Sequence, residues 1–184
     1  MKLEVVRMKN PFKLFTVPFR MLQARISPEK YARKIGVNAK GFFRIYGDAY
    51  SCFGTEPWII TLGNNVHITK NVEFITHDGA TLLYRDQIPD LEITKPIIVG
   101  DNVYIGVHTV ILPGVKIGNN VIIGAGSVVT KDIPDNSVAA GTPARVIKSS
   151  QEYLEKAKRE SLHLGHLKGK EKDAALRSYY GYES

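Results

Sequence analysis

The sequence predicts an all-β fold, a parallel β-helix built from six-residue repeats and followed by a C-terminal helical extension. Three observations predict it. Aliphatic residues recur at every sixth position through the middle of the chain, glycine and asparagine stand where such a coil needs tight corners, and the periodicity stops before a tail rich in helix-forming residues. Each turn of this solenoid buries its aliphatic residues in one continuous core.

The repeat is clearest between residues 99 and 133. The aliphatic residues in register are Val99, Ile105, Ile111, Ile117, Ile123 and Val129. An α-helix repeats near about 3.6 residues and a simple strand near about 2, so this period fits neither. It is typical of short strands joined by tight corners. Glycine and asparagine occupy those corners at Gly100, Asn102, Gly118 and Asn120.

The register continues towards the N-terminus through Leu62, Ile68 and Phe74, and more weakly to Ile45 and Ile35. The interval from Phe74 to Val99 is not a multiple of six. We therefore expect residues of about 80–92 to form a loop extruded from the coil, with Ile93 resuming the count one period before Val99.

The chain divides into a basic, partly helical N-terminal arm (1–34), a β-helix (35–147) and a C-terminal helical extension (148–184). Residues 1–44 contain eleven Lys or Arg against two acidic residues, so the basic excess belongs to the arm. Residues 11–26 interleave aromatic and basic side chains, which allows weak peripheral membrane contact, although packing on the protein itself or a neighbouring subunit is favoured. No nucleic-acid partner is expected.

Composition excludes several classes of protein. No stretch approaches the roughly 18 consecutive apolar residues of a membrane span, and the charged N-terminus lacks the features of a secretory signal. We therefore expect a cytoplasmic protein. The single cysteine, Cys52, can form neither an internal disulfide nor a cysteine-ligated zinc site.

Two stretches carry a family resemblance. Residues 99–147 (VGDNVYIGVHTVILPGVKIGNNVIIGAGSVVTKDIPDNSVAAGTPARVI) resemble the hexapeptide-repeat O-acetyltransferases, the group of maltose, galactoside and xenobiotic acetyltransferases. Residues 56–79 (EPWIITLGNNVHITKNVEFITHDG) are similar to acetyltransferases of capsular and other bacterial surface polysaccharides. The resemblance implies a left-handed coil, a homotrimer with active sites between subunits, acetyl-CoA as co-substrate, and a sugar or sugar-nucleotide acceptor.

Acetyl transfer to a hydroxyl needs a base, because the hydroxyl must lose its proton as it attacks the thioester. Imidazole titrates near neutrality, and the resemblance implies that His77 is this general base. A neighbouring carboxylate would fix its tautomer. The resemblance favours Glu56, about one coil earlier, over the adjacent Asp78. Binding of acceptor hydroxyls is the alternative role for either carboxylate.

The resemblance also implies a site for acetyl-CoA. Its predicted contacts are Tyr104, Val107, Ala125, Gly126, Thr130, Lys131 and Arg145. The Val107 and Ala125 amides would face the pantetheine arm, and one of them would stabilise the thioester oxyanion. Lys131 and Arg145 would meet the phosphates. Coils of three repeats stack residues eighteen apart, which predicts that His77, His108 and the Val107 and Ala125 amides share one column.

Other interpretations stay open. Asp78 and Arg85 are the candidate acceptor-binding residues, Arg85 for an acidic sugar, and the acceptor's identity is not readable. N-acetylation of an amino sugar differs only in the attacking atom. An inactive scaffold is a second alternative. A γ-carbonic anhydrase is the third, because His67, His77 and His108 resemble a zinc ligand set, although the expected close His pair is missing and no metal is expected.

Overall fold

The computed structural model describes residues 12–182, with side chains from residue 17 onward. The side chains of Phe12, Lys13 and Phe15, on which the predicted membrane contact partly rests, lie outside the described residues. Helix α1 (Phe12–Ile26) continues through Pro18, and α2 (Pro28–Lys34) follows after Ser27. Within residues 12–182, no helix combines the length and apolar character needed to span a bilayer.

Short strands arranged in three sheets form the body of the chain. They are β1 (Asn38–Ala39), β2 (Phe43–Ile45), β3 (Ile60–Leu62), β4 (Val66–Ile68), β5 (Glu73–Phe74), β6 (Ile97–Val99), β7 (Val103–Ile105), β8 (Val110–Ile111), β9 (Lys116–Ile117), β10 (Val121–Ile123), β11 (Val128–Val129), β12 (Ser137–Gly141) and β13 (Ala144–Ser149). The first sheet has the order β1-β3-β6-β9, the second β2-β4-β7-β10-β12-β13 and the third β5-β8-β11. Pairing is parallel except between β12 and β13, which confirms a hexapeptide-repeat β-helix.

The inward-facing residue of each repeat forms the core, as the six-residue period predicts. Between Val99 and Val129, the aliphatic residues at every sixth position are each at most 2% exposed. They stack across coils in the columns Leu62–Val99–Ile117, Ile68–Ile105–Ile123 and Phe74–Ile111–Val129. Burying such a side chain contributes roughly 1.5–3 kcal/mol, so the stacked columns provide the main stabilisation of the coil.

Asparagines build the corner between the first and second sheets. Asn65, Asn102, Asn120 and Asn136 adopt φ values of 55° to 58°, a left-handed conformation that asparagine tolerates better than most residues. Their side-chain amides bond in sequence from coil to coil at 3.0–3.1 Å. This asparagine ladder satisfies polar groups at a turn that repeats in every coil.

The extruded loop changes the register predicted across it. Ile93 does not resume the core, because it is 39% exposed. Its carbonyl accepts from the Asp78 amide, and the Lys95 amide donates to Thr76, so residues 76–78 and 93–95 form a narrow neck of the loop. The coil resumes only at β6. The predicted position of Ile93 is therefore wrong. Phe74 pairs with Ile111 on the third sheet, whereas the count aligns it with Ile105 on the second.

Residues from Gln151 onward form a separate compact unit. It contains α3 (Ser150–Glu160), apart from the first residue of that helix, and α4 (Gly169–Tyr180), with no buried side chain in either helix. The predicted C-terminal helices are thus present, although β13 delays their start to Ser150. Because α1 and α2 precede the strands along the chain and α3 and α4 follow them, the all-β class describes the coil and not the whole chain.

Candidate active site

The imidazole of His77 and the carboxylate of Glu56 meet at the neck of the loop. A parallel bridge between Phe53 and Phe74 brings the two chain segments together. Glu56 follows Phe53 and directly precedes a 3-10 turn (Pro57–Ile59), and His77 follows β5. His77 Nδ1 lies 3.0 Å from Glu56 Oε2. The His77 side chain is 39% exposed, so a solvent-borne substrate can reach the imidazole.

Two threonine hydroxyls fix the Glu56 carboxylate. The completely buried Thr76 donates to Oε2 at 2.6 Å, and Thr55 donates to Oε1 at 2.5 Å. Burial by itself raises the pKa of Glu56, but the hydrogen bonds from Thr55, Thr76 and His77 outweigh it and lower that pKa below its usual value. Glu56 is therefore held as an anion beside the imidazole.

This network assigns the proton of the neutral imidazole. A carboxylate only accepts hydrogen bonds, so Nδ1 of His77 must donate to Glu56. Thr55 also lies 3.3 Å from Nδ1, but its hydroxyl hydrogen points to Glu56. The lone pair of the neutral ring then resides on Nε2, an assignment that follows from the network of donors and acceptors. Nε2 is the atom able to accept a proton.

The side chains of Asp78 and Arg85 bond to other residues of the extruded loop. Asp78 Oδ1 accepts from the Ala80 amide at 3.0 Å, which caps the 3-10 turn Gly79–Tyr84. Arg85 donates to the Leu91 carbonyl at 3.1 Å and forms an ion pair with Glu92 at 2.6 Å. Because its charge is paired, Arg85 is less available for an acidic sugar than the sequence suggested.

His77 lines two open clefts. The loop cleft, of about 270 Å³, lies between the Glu56–His77 pair and the extruded loop, and Asp78, Arg85 and Glu92 line its far side. The corner cleft, of about 540 Å³, is more apolar in its walls, which include Ile75, Leu112, Lys95 and Thr130. His77 is therefore accessible from both clefts.

The predicted pantetheine contacts lie at another corner, between the second and third sheets. The Gly126 amide donates to the Val107 carbonyl at 2.8 Å, whereas the Val107 and Ala125 amides have no acceptor among residues 12–182. A Cβ on Gly106 would lie 2.5 Å from the Ala125 nitrogen, so the two backbones are in close contact there. Val107 and Ala125 are exposed, and their free amides can donate to a ligand.

The remaining predicted contacts spread over the surface. Tyr104 stands in the middle of β7 on the outer face of the second sheet, 45% exposed, between His67 and Ile122 on the neighbouring strands. Thr130 lines the corner cleft, and Lys131 follows it, exposed. Arg145 is exposed in β13 and donates to the carbonyl of Ala144 at 2.9 Å.

The prediction of one shared column is wrong. His108 lies at the corner between the second and third sheets, where its amide bonds to the Lys70 carbonyl. His77 instead lies at the corner between the third and first sheets, with Leu112 and Thr130. The error arises because the loop was counted as one face of the coil. Within one chain, the base and the free amides of Val107 and Ala125 occupy different edges.

The three histidines of the metal alternative are also separated. His67 lies on the second sheet, where Nδ1 pairs with the Tyr46 hydroxyl at 2.9 Å and Nε2 with Asn65 Oδ1 at 3.0 Å. In the part of the chain that is described, no three His, Cys, Asp or Glu side chains converge as metal ligands. The geometry of one chain therefore gives no support to the carbonic anhydrase interpretation.

Sequence reasoning missed Thr55, Thr76 and Lys95. Thr76 stands two residues after the core residue Phe74, so strand alternation predicts that its side chain also points inward. A polar side chain at an inward position needs a hydrogen-bond partner, and the sequence could have identified Thr76 in this way. Thr55 and Lys95 belong to irregular segments, where side-chain direction is not periodic. Only the fold places them near His77.

Comparisons with known proteins agree with this arrangement. The profile described as "Bacterial transferase hexapeptide (six repeats)" matches residues 96–131. Protein CapG of Staphylococcus aureus is 42% identical over 135 residues, which cover 73% of this chain and 78% of CapG. Galactoside O-acetyltransferase of Escherichia coli is 47% identical over 93 residues, covering 50% of this chain but only 45% of the enzyme. A structure described as galactoside acetyltransferase in complex with coenzyme A aligns with a TM-score of 0.55 and 29% identity, covering 79% of this chain and 84% of that chain.

Proposed function

Because the chain belongs to the hexapeptide-repeat acetyltransferase family, we propose that it is an acetyl-CoA-dependent O-acetyltransferase acting on a sugar or sugar-nucleotide, such as a precursor of a surface polysaccharide. The observation that carries the proposal is the His77–Glu56 pair, because His77 lines two clefts and Nε2 has no hydrogen-bond partner among residues 12–182. The names of two relatives, galactoside O-acetyltransferase and galactoside acetyltransferase bound to coenzyme A, support the reaction class.

The proposed reaction is direct transfer in a ternary complex. His77 Nε2 takes the proton of the acceptor hydroxyl while the hydroxyl oxygen attacks the thioester carbonyl carbon. Glu56 stabilises the resulting imidazolium and keeps Nδ1–H directed at its carboxylate. As the carbon–sulfur bond breaks, the imidazolium returns the proton to the leaving sulfur. The products are the acetyl ester and coenzyme A.

The chain's own residues fit the pantetheine arm of acetyl-CoA. This arm carries amide carbonyls, and the free Val107 and Ala125 amides can donate to them or to the thioester oxygen. Gly126 keeps the corner open, and Tyr104 provides a flat wall nearby. Thr130, Lys131 and Arg145 are the proposed phosphate contacts.

We further propose a left-handed coil and a homotrimer whose active site lies between subunits. The separation of His77 from the Val107 and Ala125 amides within one chain supports this assembly, because a neighbouring copy can supply the second edge. Covalent catalysis has little support. Cys52 is buried, and burial together with the charges of Glu73 and Asp48 raises the pKa of its thiol, so it is a poor nucleophile.

The proposal is tested with purified protein, acetyl-CoA and a panel of sugars and sugar-nucleotides, read by released thiol and by mass spectrometry of the products. We expect an acetylated product that hydroxylamine cleaves, because esters are labile to it and amides are not. A hydroxylamine-resistant product supports N-acetylation instead. An acetylated enzyme that passes its acetyl group to the acceptor would contradict direct transfer.

A further inference from the structure

A third cleft shares Thr55 with the loop cleft. This indole cleft, of about 290 Å³, lies between helices α1 and α2 and the turn Pro57–Ile59. Its walls include Arg20, Tyr31, Lys34, Thr55 and Trp58. Thr55 lines the loop cleft as well, so the two clefts meet at this residue, whose hydroxyl donates to Glu56.

The indole cleft is positively charged. Arg20 and Lys34 line it, and its lining contains no acidic side chain. Lys34 Nζ donates to the neutral Gln23 amide at 3.1 Å, and among residues 12–182 Arg20 forms no ion pair. Both cations are exposed and keep donors for an anionic group. This differs from the loop cleft, where Arg85 is already paired with Glu92.

Trp58 gives the same cleft a flat apolar wall. It is the chain's single tryptophan, and it is 63% exposed although it lies two residues from Glu56. Gly36, with φ of +111°, faces the Trp58 backbone, since a Cβ built on Gly36 would lie 3.4–3.7 Å from the backbone and Cβ of Trp58. An exposed indole suits a ring-shaped ligand with apolar faces, such as a sugar.

We infer that the acceptor is an anionic sugar: its hydroxyl reaches His77 in the loop cleft while a phosphate or carboxylate group of the same molecule binds Arg20 and Lys34 beside Trp58. This inference rests on the proposed function and specifies its substrate class. A phosphate source implies a sugar-nucleotide, and a carboxylate source implies a uronic-acid unit. Neutral sugars bind weakly because they offer no anionic group to Arg20 and Lys34.

The test uses Trp58 fluorescence of the 184-residue chain without acetyl-CoA, so binding is measured separately from transfer. The probes are UDP-glucose for phosphate, a glucuronic-acid disaccharide for carboxylate, and uncharged maltose. We expect saturable quenching by at least one anionic probe at concentrations about tenfold lower than for maltose. Titration calorimetry with the same probes detects any binding that does not change the Trp58 fluorescence.

Variants locate the site. Arg20→Gln and Lys34→Gln are each expected to weaken the anionic probe by roughly tenfold and to leave maltose unchanged. Lys30→Gln is the matched control, because Lys30 is exposed on α2 and does not line the cleft. The inference is overturned if neither anionic probe binds in either measurement, if maltose binds equally well, or if both variants bind the anionic probe as the wild type does. Efficient acetylation of neutral sugars alone overturns it while leaving the proposed function intact.

Discussion

Replacing Thr76 by valine tests how strongly the proposed base depends on the network behind it. Valine keeps the shape of this completely buried residue but removes the hydroxyl that lies 2.6 Å from Glu56 Oε2. The same oxygen holds His77 Nδ1 at 3.0 Å. A hydrogen bond to a charged group contributes about 1.5–3 kcal/mol, and about 1.4 kcal/mol corresponds to a factor of ten in rate.

The expected loss follows from what remains around the carboxylate. Thr55 and His77 still donate to Glu56 in the variant, so we expect the lower end of that range, a fall in kcat of roughly tenfold with the KM for acetyl-CoA unchanged. Rates are measured by released thiol with the best acceptor of the sugar panel. Thr69→Val is the matched control, because this buried hydroxyl donates to the Ile105 carbonyl at 2.7 Å, on another sheet.

The pH dependence of stability gives an independent check. The pKa of Glu56 is lowered in the folded protein, so its ionised form stabilises the fold above the unfolded value of 4.5 and this contribution is lost as pH falls through the folded pKa. Thr76→Val raises that pKa, so the variant should be destabilised near neutral pH, with the difference shrinking in acid. Wild-type kcat in Thr76→Val, or equal losses of activity in Thr76→Val and Thr69→Val, would refute the reasoning.

Three further predictions concern the coil and the donor site. Gly106→Ala places a Cβ 2.5 Å from the Ala125 nitrogen and should lower the free energy of unfolding by about 1–3 kcal/mol in chemical denaturation, whereas Gly165→Ala meets open space and should not. Asn102→Ala removes two hydrogen bonds of the asparagine ladder and places alanine at a φ of 55°, so it should lower Tm. Asn102→Gly loses the same bonds but tolerates this φ, so its Tm should fall less; equal losses would assign the effect to the hydrogen bonds alone. Lys131→Gln should raise the KM for acetyl-CoA by roughly three- to tenfold without changing kcat, against Lys116→Gln as the exposed control at another strand; an unchanged KM would remove Lys131 from the donor site.

Sequence periodicity predicted the coil because every turn places its aliphatic residue in the same environment. Ile105, Ile111 and Ile123 are therefore buried where the count required. The count failed across the loop, because an extruded segment does not follow the six-residue period of the stacked core. Ile93 satisfies the spacing and yet lies in the exposed neck of the loop. Counting it as a core residue therefore placed His77 in the column of His108, where the structure does not have it.

The candidate site was predictable only in part. His77 and Glu56 came from the resemblance of residues 56–79 to known acetyltransferases, and the structure sets these two side chains 3.0 Å apart. The supporting hydroxyl of Thr55 and the indole cleft were not predictable. Both depend on where helix α2 and the turn Pro57–Ile59 lie against the coil, and short irregular segments do not encode that placement in a pattern.

The most direct measurement of the central claim compares acetyl transfer by the wild type and His77→Ala, from acetyl-CoA to the best acceptor of the panel. Loss of a general base predicts a fall in kcat of about 10²–10⁴-fold, together with a small fall in Tm because Glu56 loses one of its hydrogen bonds. His166→Ala, a change at an exposed histidine of the C-terminal unit, should retain full activity. Transfer by His77→Ala at the wild-type rate would contradict the account, as would a wild type that acetylates no sugar in the panel.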